Sequence, residues 1–441
     1  MGRGLGQSPG AFAGRLAREA GGRGLLVSDP ETGALRISHP VLEGLAHALR
    51  QRPLGWAGHE AVFLAAGPET GALFGAFVHS TVRGLAQGGV RRWHYPALEE
   101  FLRDGLRLAH GMSRKNALAG LWWGGGKGLI AAQGDAAERD PGLRRTLYEE
   151  YGAFVASLRG AYVAAEDVGT GPEDVAAMFS RCRFVTCLPP ALGGVGNPSP
   201  ATAQGVAAAM EAALQNLGRP GLEGQRVALQ GCGQVGRALA ARLLAAGARV
   251  VAADPSPRAC EALAAAHPGA GAALEVRTVA PGDAGILFED CDVLSPCALG
   301  GVLDAKTIPG IRAALVCGSA NNQLGDETRD DRALQERGIV WVPDLLCNRM
   351  GIVHCGDEPF GHVADDPRIA RHLDPTWAGS IPATTRRVLA ESRRSGRPPG
   401  EVAHALADAA LAEPHPLLGH RGRAIVASLV ADRWAADAAT G

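Results

Sequence analysis

Lysine is the residue type that first invites a chemical reading. It occurs three times in 441 residues, at Lys115, Lys127 and Lys306, while the other 41 of the 44 basic residues are arginine. A guanidinium stays protonated under ordinary conditions, whereas an ammonium loses its proton when it is desolvated or crowded by another cation. A lysine kept in such a chain is therefore a candidate for acid–base work, the plain alternative being a survivor on a solvated face. Two of the three stand 12 residues apart, in Gly111-Met112-Ser113-Arg114-Lys115-Asn116-Ala117 and Gly124-Gly125-Gly126-Lys127-Gly128. The triple glycine has no side chains and reads as clearance for a substrate beside Lys127. Two ammonium groups converging on one cleft would depress each other's proton affinity, so that one binds a carboxylate and the other serves as a neutral base. Glu166-Asp167-Val168-Gly169-Thr170 ends a short apolar run and offers a carboxylate for moving protons, although Asp167 alone reads as a loop cap.

A second constellation follows the apolar run Val227-Ala228-Leu229. Gly231-Cys232-Gly233-Gln234-Val235-Gly236 is G-x-G-x-x-G between that run and the helical stretch Arg237–Ala246. The glycines permit a tight turn, close backbone approach to a pyrophosphate and close helix–strand packing, and the helix N-terminus stabilises phosphate charge. Another apolar run ends in Asp254, 23 residues after Gly231, where a carboxylate bonds ribose hydroxyls and repels a 2′-phosphate. NAD is thus expected over NADP. The bland alternative is a glycine turn in a glycine-rich chain, with Asp254 capping a helix before Pro255.

The elements that must position these residues fall into two groups. Val62-Phe63-Leu64 and Gly75-Ala76-Phe77-Val78 read as strands joined through the turn-like Gly67–Gly71 segment. Leu98, Phe101, Leu102 and Leu106 have helical spacing, as do Leu143, Leu147, Phe154, Val155 and Leu158. Pro198 and Pro200 break the chain before a helix over about residues 201–217. Beyond it, Val227–Leu229, Val250–Ala252, Val293-Leu294, Leu315-Val316 and Ile339–Val342 alternate with helical stretches, which implies βαβ units and a parallel sheet. The fold class is α/β: an N-terminal α+β substrate and oligomerisation domain (1–190), a Rossmann-type dinucleotide-binding domain (191–375), and a C-terminal helical segment (376–441) returning to the first domain. The opening 22 residues lack a continuous apolar region and read as a loose or weakly helical arm.

Acidic and basic residues nearly cancel, 45 against 44, so no global field favours nucleic acid or an anionic membrane. Nine cysteines, an odd number with no C-x-x-C pair, fit a reducing cytosol, and no apolar run approaches a membrane span. A cytoplasmic protein acting on small molecules is expected, without a metal.

Seven ordered segments together resemble the glutamate, leucine, phenylalanine and valine dehydrogenase family, the leucine enzymes most closely. They are Gln87–Arg91 (QGGVR), Gly111–Gly120, Gly124–Gly128, Ala164–Thr170, Gly196–Ala203, Ser295–Gly301 and Gly318–Leu324. The resemblance implies NAD-dependent, reversible oxidative deamination of an L-amino acid to its 2-oxo acid and ammonium by a homo-oligomer. It implies that Lys115 holds the substrate carboxylate with Asn321 or Asn322, that Lys127 is the base activating water, and that Asp167 moves protons to and from the amino nitrogen. Thr202 and the loop bearing Asn321 would position the nicotinamide. A side-chain pocket would be formed by Gly88, Ala165, Ile352 and Cys355. Gln87 stands where glutamate-specific relatives carry a lysine that pairs with the distal carboxylate, so an apolar, branched-chain or aromatic substrate is expected.

The chain departs from that pattern at Asn348-Arg349-Met350-Gly351, where two long side chains replace small ones, at Trp122-Trp123, and in extra residues around Phe360–Thr385. These motivate an alternative, a catalytically weak NAD-binding regulatory or interaction protein. A hydroxy-acid dehydrogenase lacks a convincing His–carboxylate pair.

Overall fold

Short apolar runs rich in valine, alanine and phenylalanine build two sheets in the computed structural model, which describes residues 4–51 and 54–436. Met1–Arg3 of the opening arm and residues 437–441 of the C-terminal segment lie outside the described residues. The chain divides into two units, one of Met1–Asn197, Cys355–His362 and Ala409–Gly441, the other of Pro198–His354 and Val363–Asp408.

The first unit holds strands β1 (Arg23–Ser28), β2 (Leu35–Ile37), β3 (Ala61–Ala66), β4 (Leu73–Ser80), β5 (Ala86–Trp93), β6 (Gly124–Ala131) and β7 (Tyr162–Ala165). They lie in the order β2-β1-β3-β4-β6-β5-β7. Pairing is antiparallel as far as β4·β6, and β5 runs parallel to β6 and β7. Every residue of β4 and β6 is buried, because the sheet is covered on both faces. On one face Phe77 and Leu129 pack with Phe101, Leu102 and Leu106 of the helix Leu98–Leu118. On the other, Phe74, Tyr151, Phe154 and Tyr162 form the core with Leu429 and Trp434. The opening arm is a regular helix over Pro9–Ala20, with Ser8 as its N-cap and Pro9 at its start.

The second unit is a six-stranded sheet: β8 (Arg226–Gln230), β9 (Arg249–Asp254), β10 (Leu274–Thr278), β11 (Val293–Pro296), β12 (Leu315–Val316) and β13 (Val340–Trp341). All pairs are parallel and the order is β10-β9-β8-β11-β12-β13, the doubly wound arrangement. Strand order reverses between β8 and β11, so a crevice opens beyond the carboxyl end of β8, where the glycine turn lies.

The C-terminal segment is divided between the units, and the part that returns to the first one begins at Ala409. The helix Ile381–Ser395 packs on the helix Ser199–Asn216 of the second unit. The helix Pro399–Leu411 is capped there by Asp331, whose Oδ2 accepts the Gly400 and Glu401 amides at 2.8 and 3.3 Å. The helix Arg421–Ala431 belongs to the first unit, where Trp434 beyond it meets Phe63 edge-on at 5.2 Å.

Burial, with Glu401 acting in the same sense, lifts the Asp331 carboxyl to about 7 although the two amides and Arg332 oppose it. A folded value above the ordinary 3.8 means that the fold favours the protonated form. This contribution is full below the unfolded value and is lost as pH rises through about 7. Asp331→Asn keeps an acceptor and removes the charge, so its melting temperature relative to the parent should gain at pH 8 and little at pH 4. An equal difference at both pH values would contradict this.

Candidate functional site

Side chains alternate across a strand, so Gln87, Gly89 and Arg91 of β5 share one face of the first sheet. Register brings Gly125 of β6 opposite Gln87, and Val163 and Ala165 of β7 opposite Gln87 and Gly89. Lys127, two residues beyond Gly125 and paired with Phe77, faces the same way. On this face, Lys127 Nζ donates to Asp167 Oδ2 at 2.6 Å, and Arg91 Nε donates to the same oxygen at 3.2 Å. Arg91 reaches on to Asp104 at 3.2 Å, and Asp104 accepts from Tyr95 Oη at 2.8 Å.

Asp167 is aimed by its loop. Thr170 N–H donates to Asp167 O, Arg92 N–H donates to Val168 O, and Tyr148 Oη donates to Gly169 O. Gly169 has φ +79°, and a Cβ there would overlap the Arg92 carbonyl oxygen, so only glycine fits the turn. A Cβ at Gly89 would press on Asp167 Cβ and the Glu166 carbonyl, which makes that glycine the clearance for the carboxylate.

Burial lowers the proton affinity of Lys127, with Arg91 pressing in the same direction and Asp167 opposing. Burial pushes Asp167 up, but Lys127 and Arg91 overcome it and hold the carboxyl down at about 2. Arg91 is thus a cation crowding Lys127 from the adjacent strand, a role that sequence reasoning did not give it. Lys115 lies half-buried in the last turn of the helix Leu98–Leu118.

The triple glycine serves packing rather than clearance. A Cβ at Gly124 would overlap Ser80 O, one at Gly125 the Ser113 amide, and one at Gly126 the Tyr162 ring. Gly88 has a similar reason, since a Cβ there would strike the Gly126 carbonyl oxygen. Gln87 is 1% exposed, and neither Oε1 nor Nε2 has a hydrogen-bond partner among the described residues. Ala165 packs with Cys355, Cys187 and Val195 in a small apolar cluster. Glu166 is pushed up to about 7 by burial and by the Asp167 and Asp174 charges.

In the second unit the three turn glycines have three separate geometries. Gly231 has φ +102° and lies against Ala298; Gly233 is exposed with open space where a Cβ would stand; Gly236 is pressed against the Gly231 carbonyl. Cys232 is buried, Gln234 exposed and Val235 half-buried at the start of the helix Gln234–Ala245. Asp254, at the end of β9, accepts Cys232 N–H and Ser256 N–H, both at 2.8 Å, which fixes its carboxylate beside the turn. The open backbone at Gly233 together with that fixed carboxylate is a cradle that fits a dinucleotide.

Asn348 Nδ2 ties down the loop carrying Asn321, donating to Asn321 Oδ1 at 2.8 Å and Ser319 O at 3.0 Å. Asn322 has φ +52°, and its N–H donates to Asp344 at 2.6 Å. Thr202 touches the position a Cβ would take at Gly351, and Ile352 follows on the helix Met350–Gly356. Arg349 is fully buried in this unit, where its guanidinium donates to Gly379 O at 2.5 Å. Met350 is buried against Gly205. The long side chains at 349 and 350 thus enter the core, and part of the extra segment around 360–385 supplies the cover.

Within the first unit the structure brings together Lys127, Asp167, Gln87, Gly88 and Ala165, with Cys355 beside Ala165. Thr202, residues 231–236, Asp254, Asn321, Asn322 and Ile352 belong to the second unit. Sequence reasoning missed Arg91, Asp104, Glu166, Cys187 and Glu358. Arg91 had a signal, since it stands two and four residues from Gly89 and Gln87 on one strand face, whereas Asp104 and Glu358 reach their partners only through tertiary packing.

Known proteins carry the same architecture. A family model described as Glu/Leu/Phe/Val dehydrogenase, dimerisation domain, matches residues 72–184, and that of the Glutamate/Leucine/Phenylalanine/Valine dehydrogenases matches 193–257 and 265–363. A valine dehydrogenase of Streptomyces coelicolor is 38% identical over 360 residues, 81% of this chain and 94% of the relative. A leucine dehydrogenase of Geobacillus stearothermophilus is 39% identical over 305 residues, 69% of this chain and 79% of that one. The crystal structure of L-tryptophan dehydrogenase from Nostoc punctiforme aligns with a TM-score of 0.63 at 28% identity, covering 83% of this chain and 98% of the other. With the two family models matching 72–184 and most of 193–363, the chain belongs to the glutamate/leucine/phenylalanine/valine dehydrogenase family, oxidoreductases acting on the CH–NH2 group of amino acids.

Proposed function

We propose that this chain is an NAD-dependent L-amino-acid dehydrogenase that reversibly converts an apolar, branched-chain or aromatic amino acid to its 2-oxo acid and ammonium. The observation that carries the reading is the buried Lys127–Asp167 pair, 2.6 Å apart, with the lysine's proton affinity lowered and the carboxyl held ionised at about 2. Such a pair supplies a base that can be neutral and an anion that can take a proton in turn.

Lys115 of the first unit holds the substrate carboxylate. The glycine turn of Gly231, Cys232 and Gly233 with the helix start at Gln234, Val235 and Gly236 would hold the pyrophosphate, Asp254 would take the ribose hydroxyls, and Thr202 and Asn321 would orient the nicotinamide. Bound NAD supplies the acceptor for the hydride leaving the substrate Cα. Asp167 accepts the proton lost from the amino nitrogen. Lys127, neutral, then removes a proton from the water that attacks the imino carbon; Asp167 returns its proton to the nitrogen, and the C–N bond breaks as the hydroxyl oxygen forms the C=O bond and passes its proton to the departing ammonia, which leaves as ammonium. Gln87, Gly88, Ala165 and Cys355, all of the first unit, receive the substrate side chain.

A neutral amide at Gln87 offers no ion pair to a distal carboxylate, so glutamate is a poor substrate. A buried amide with neither end satisfied costs roughly 1–3 kcal/mol, which favours a largely apolar side chain carrying one N–H or O–H, such as indole. The alternative of a weak binding protein rested on Arg349 and Met350, both of which are buried in the second unit's core. We further propose a cytoplasmic homo-oligomer. Residues 72–184 match a model described as a dimerisation domain, and among the described residues no helix is long and apolar enough to cross a membrane.

A panel of 2-oxo acids with ammonium and NADH tests the reading. An apolar or aromatic acid should be the best substrate, 2-oxoglutarate being best would refute the pocket assignment, and no oxidation with any acid would refute the enzyme. Lys127→Ala should lower turnover by about 10²–10⁴-fold while NADH binding stays nearly intact, because the cofactor residues lie in the other unit. NAD should exceed NADP in kcat/KM by about tenfold or more, and Asp254→Ser should narrow that gap, one carboxylate being worth on the order of 1.4 kcal/mol. Equal use of both cofactors by the parent enzyme would remove Asp254 from this role.

A further inference from the structure

Beside Ala165 and Cys355 lies a residue with no role assigned above. Cys187 is 2% exposed and shares their apolar cluster. Its side chain packs against Cys355 and Ala165, the latter two residues before Asp167. The thiol therefore stands on the same side of the sheet as Ala165, two residues along the chain from the carboxylate that meets Lys127.

The backbone at Cys187 is unusual. Its φ is +64°, a left-handed conformation that a residue with a Cβ adopts only at a cost and that glycine adopts freely. The strain is held by Glu358, which is 9% exposed and accepts three backbone amides: Cys187 at 3.1 Å, Leu188 at 2.9 Å and Val195 at 3.1 Å. Charge-assisted bonds of this kind are among the stronger ones available to a loop. Glu358 thereby pins the loop 187–195 to the segment that carries Cys355, all within the first unit. A strained residue whose loop is held at three amides and which packs against two proposed pocket walls has its side chain placed at a fixed depth.

We propose that Cys187 is a specificity-determining residue, the floor that limits the length of the substrate side chain, and that Glu358 is the positioning residue that sets its height. The inference rests on the pocket assigned under the proposed function and adds a residue and a mechanism to it. Removing the thiomethyl group leaves space for roughly one or two further heavy atoms, and one methylene in an apolar pocket is worth about 10–200-fold in discrimination.

The test is the ratio of kcat/KM for a long 2-oxo acid (phenylpyruvate or indole-3-pyruvate) to that for a short one (3-methyl-2-oxobutanoate). It is measured with ammonium and NADH on the full chain. Cys187→Gly should raise the ratio by about tenfold, and its melting temperature should not fall, because glycine suits the left-handed backbone. Cys187→Ala should raise the ratio in the same sense if the floor is steric. Cys182→Ala, which changes a buried thiol in the core on the other face, is the control for general loosening and should leave the ratio alone. An unchanged or lowered ratio in both Cys187 variants, or an equal rise in the Cys182 control, overturns the proposal while leaving the dehydrogenase reading in place. A parent chain that oxidises NADH with none of the acids overturns both.

Discussion

The arrangement on which the rest depends is a carboxylate shared by two cations inside the first unit. A buried ammonium next to a buried carboxylate would ordinarily settle as a closed ion pair, with the lysine held protonated. Arg91 changes that balance. Its guanidinium competes for the same oxygen of Asp167 and repels the Lys127 ammonium, so the carboxyl stays ionised while the lysine is eased toward neutrality. The remaining structure can be read as what makes such a crowded triad affordable. Asp104 and Tyr95 anchor the far side of Arg91, glycines at 89 and 169 make room for the carboxylate loop, and the strand bearing Lys127 is buried along its whole length.

The glycines of this site divide by function in a way their number alone would not suggest. Gly124, Gly125 and Gly126 let β6 lie against backbone and ring atoms of its neighbours, and this close packing holds Lys127 at a fixed point of the sheet. Gly233, in the second unit, is the contrary case, exposed with nothing near its missing side chain, as a backbone that must be approached by a ligand requires. The same residue type is therefore a packing device in one unit and an open edge in the other.

Much of this was legible in the sequence. Strand–turn–helix context at 226–245 and a carboxylate at 254 led to the parallel sheet and its glycine turn, because both depend on local backbone geometry. Lys127 and Asp167 could be singled out from the scarcity of lysine and from the ordered motifs. What remained hidden depended on distant packing. Lys115 drew attention as a cation close to Lys127 in sequence, whereas Arg91, which also lowers the proton affinity of Lys127, sits on the adjacent strand 36 positions earlier and meets it only through the sheet. Arg349 looked like an intrusion, but its side chain runs into the core of the second unit, under a segment that sequence marked only as extra length. Which C-terminal helices stay with the second unit was equally out of reach, because it depends on distant packing: Ile381–Ser395 lies on Ser199–Asn216, and Asp331 caps a helix some 70 residues away.

The central claim is that burial and Arg91 together set the proton affinity of Lys127. It is tested most directly by the pH dependence of kcat/KM for deamination in the parent and in Arg91→Gln. The parent should show an acid limb below the ordinary lysine value of 10.5. In the variant the limb should move upward by about half a unit or more, since a repelling cation is lost and Asp167 turns wholly to Lys127. A limb at the same pH in both proteins, or one that moves downward, would contradict it.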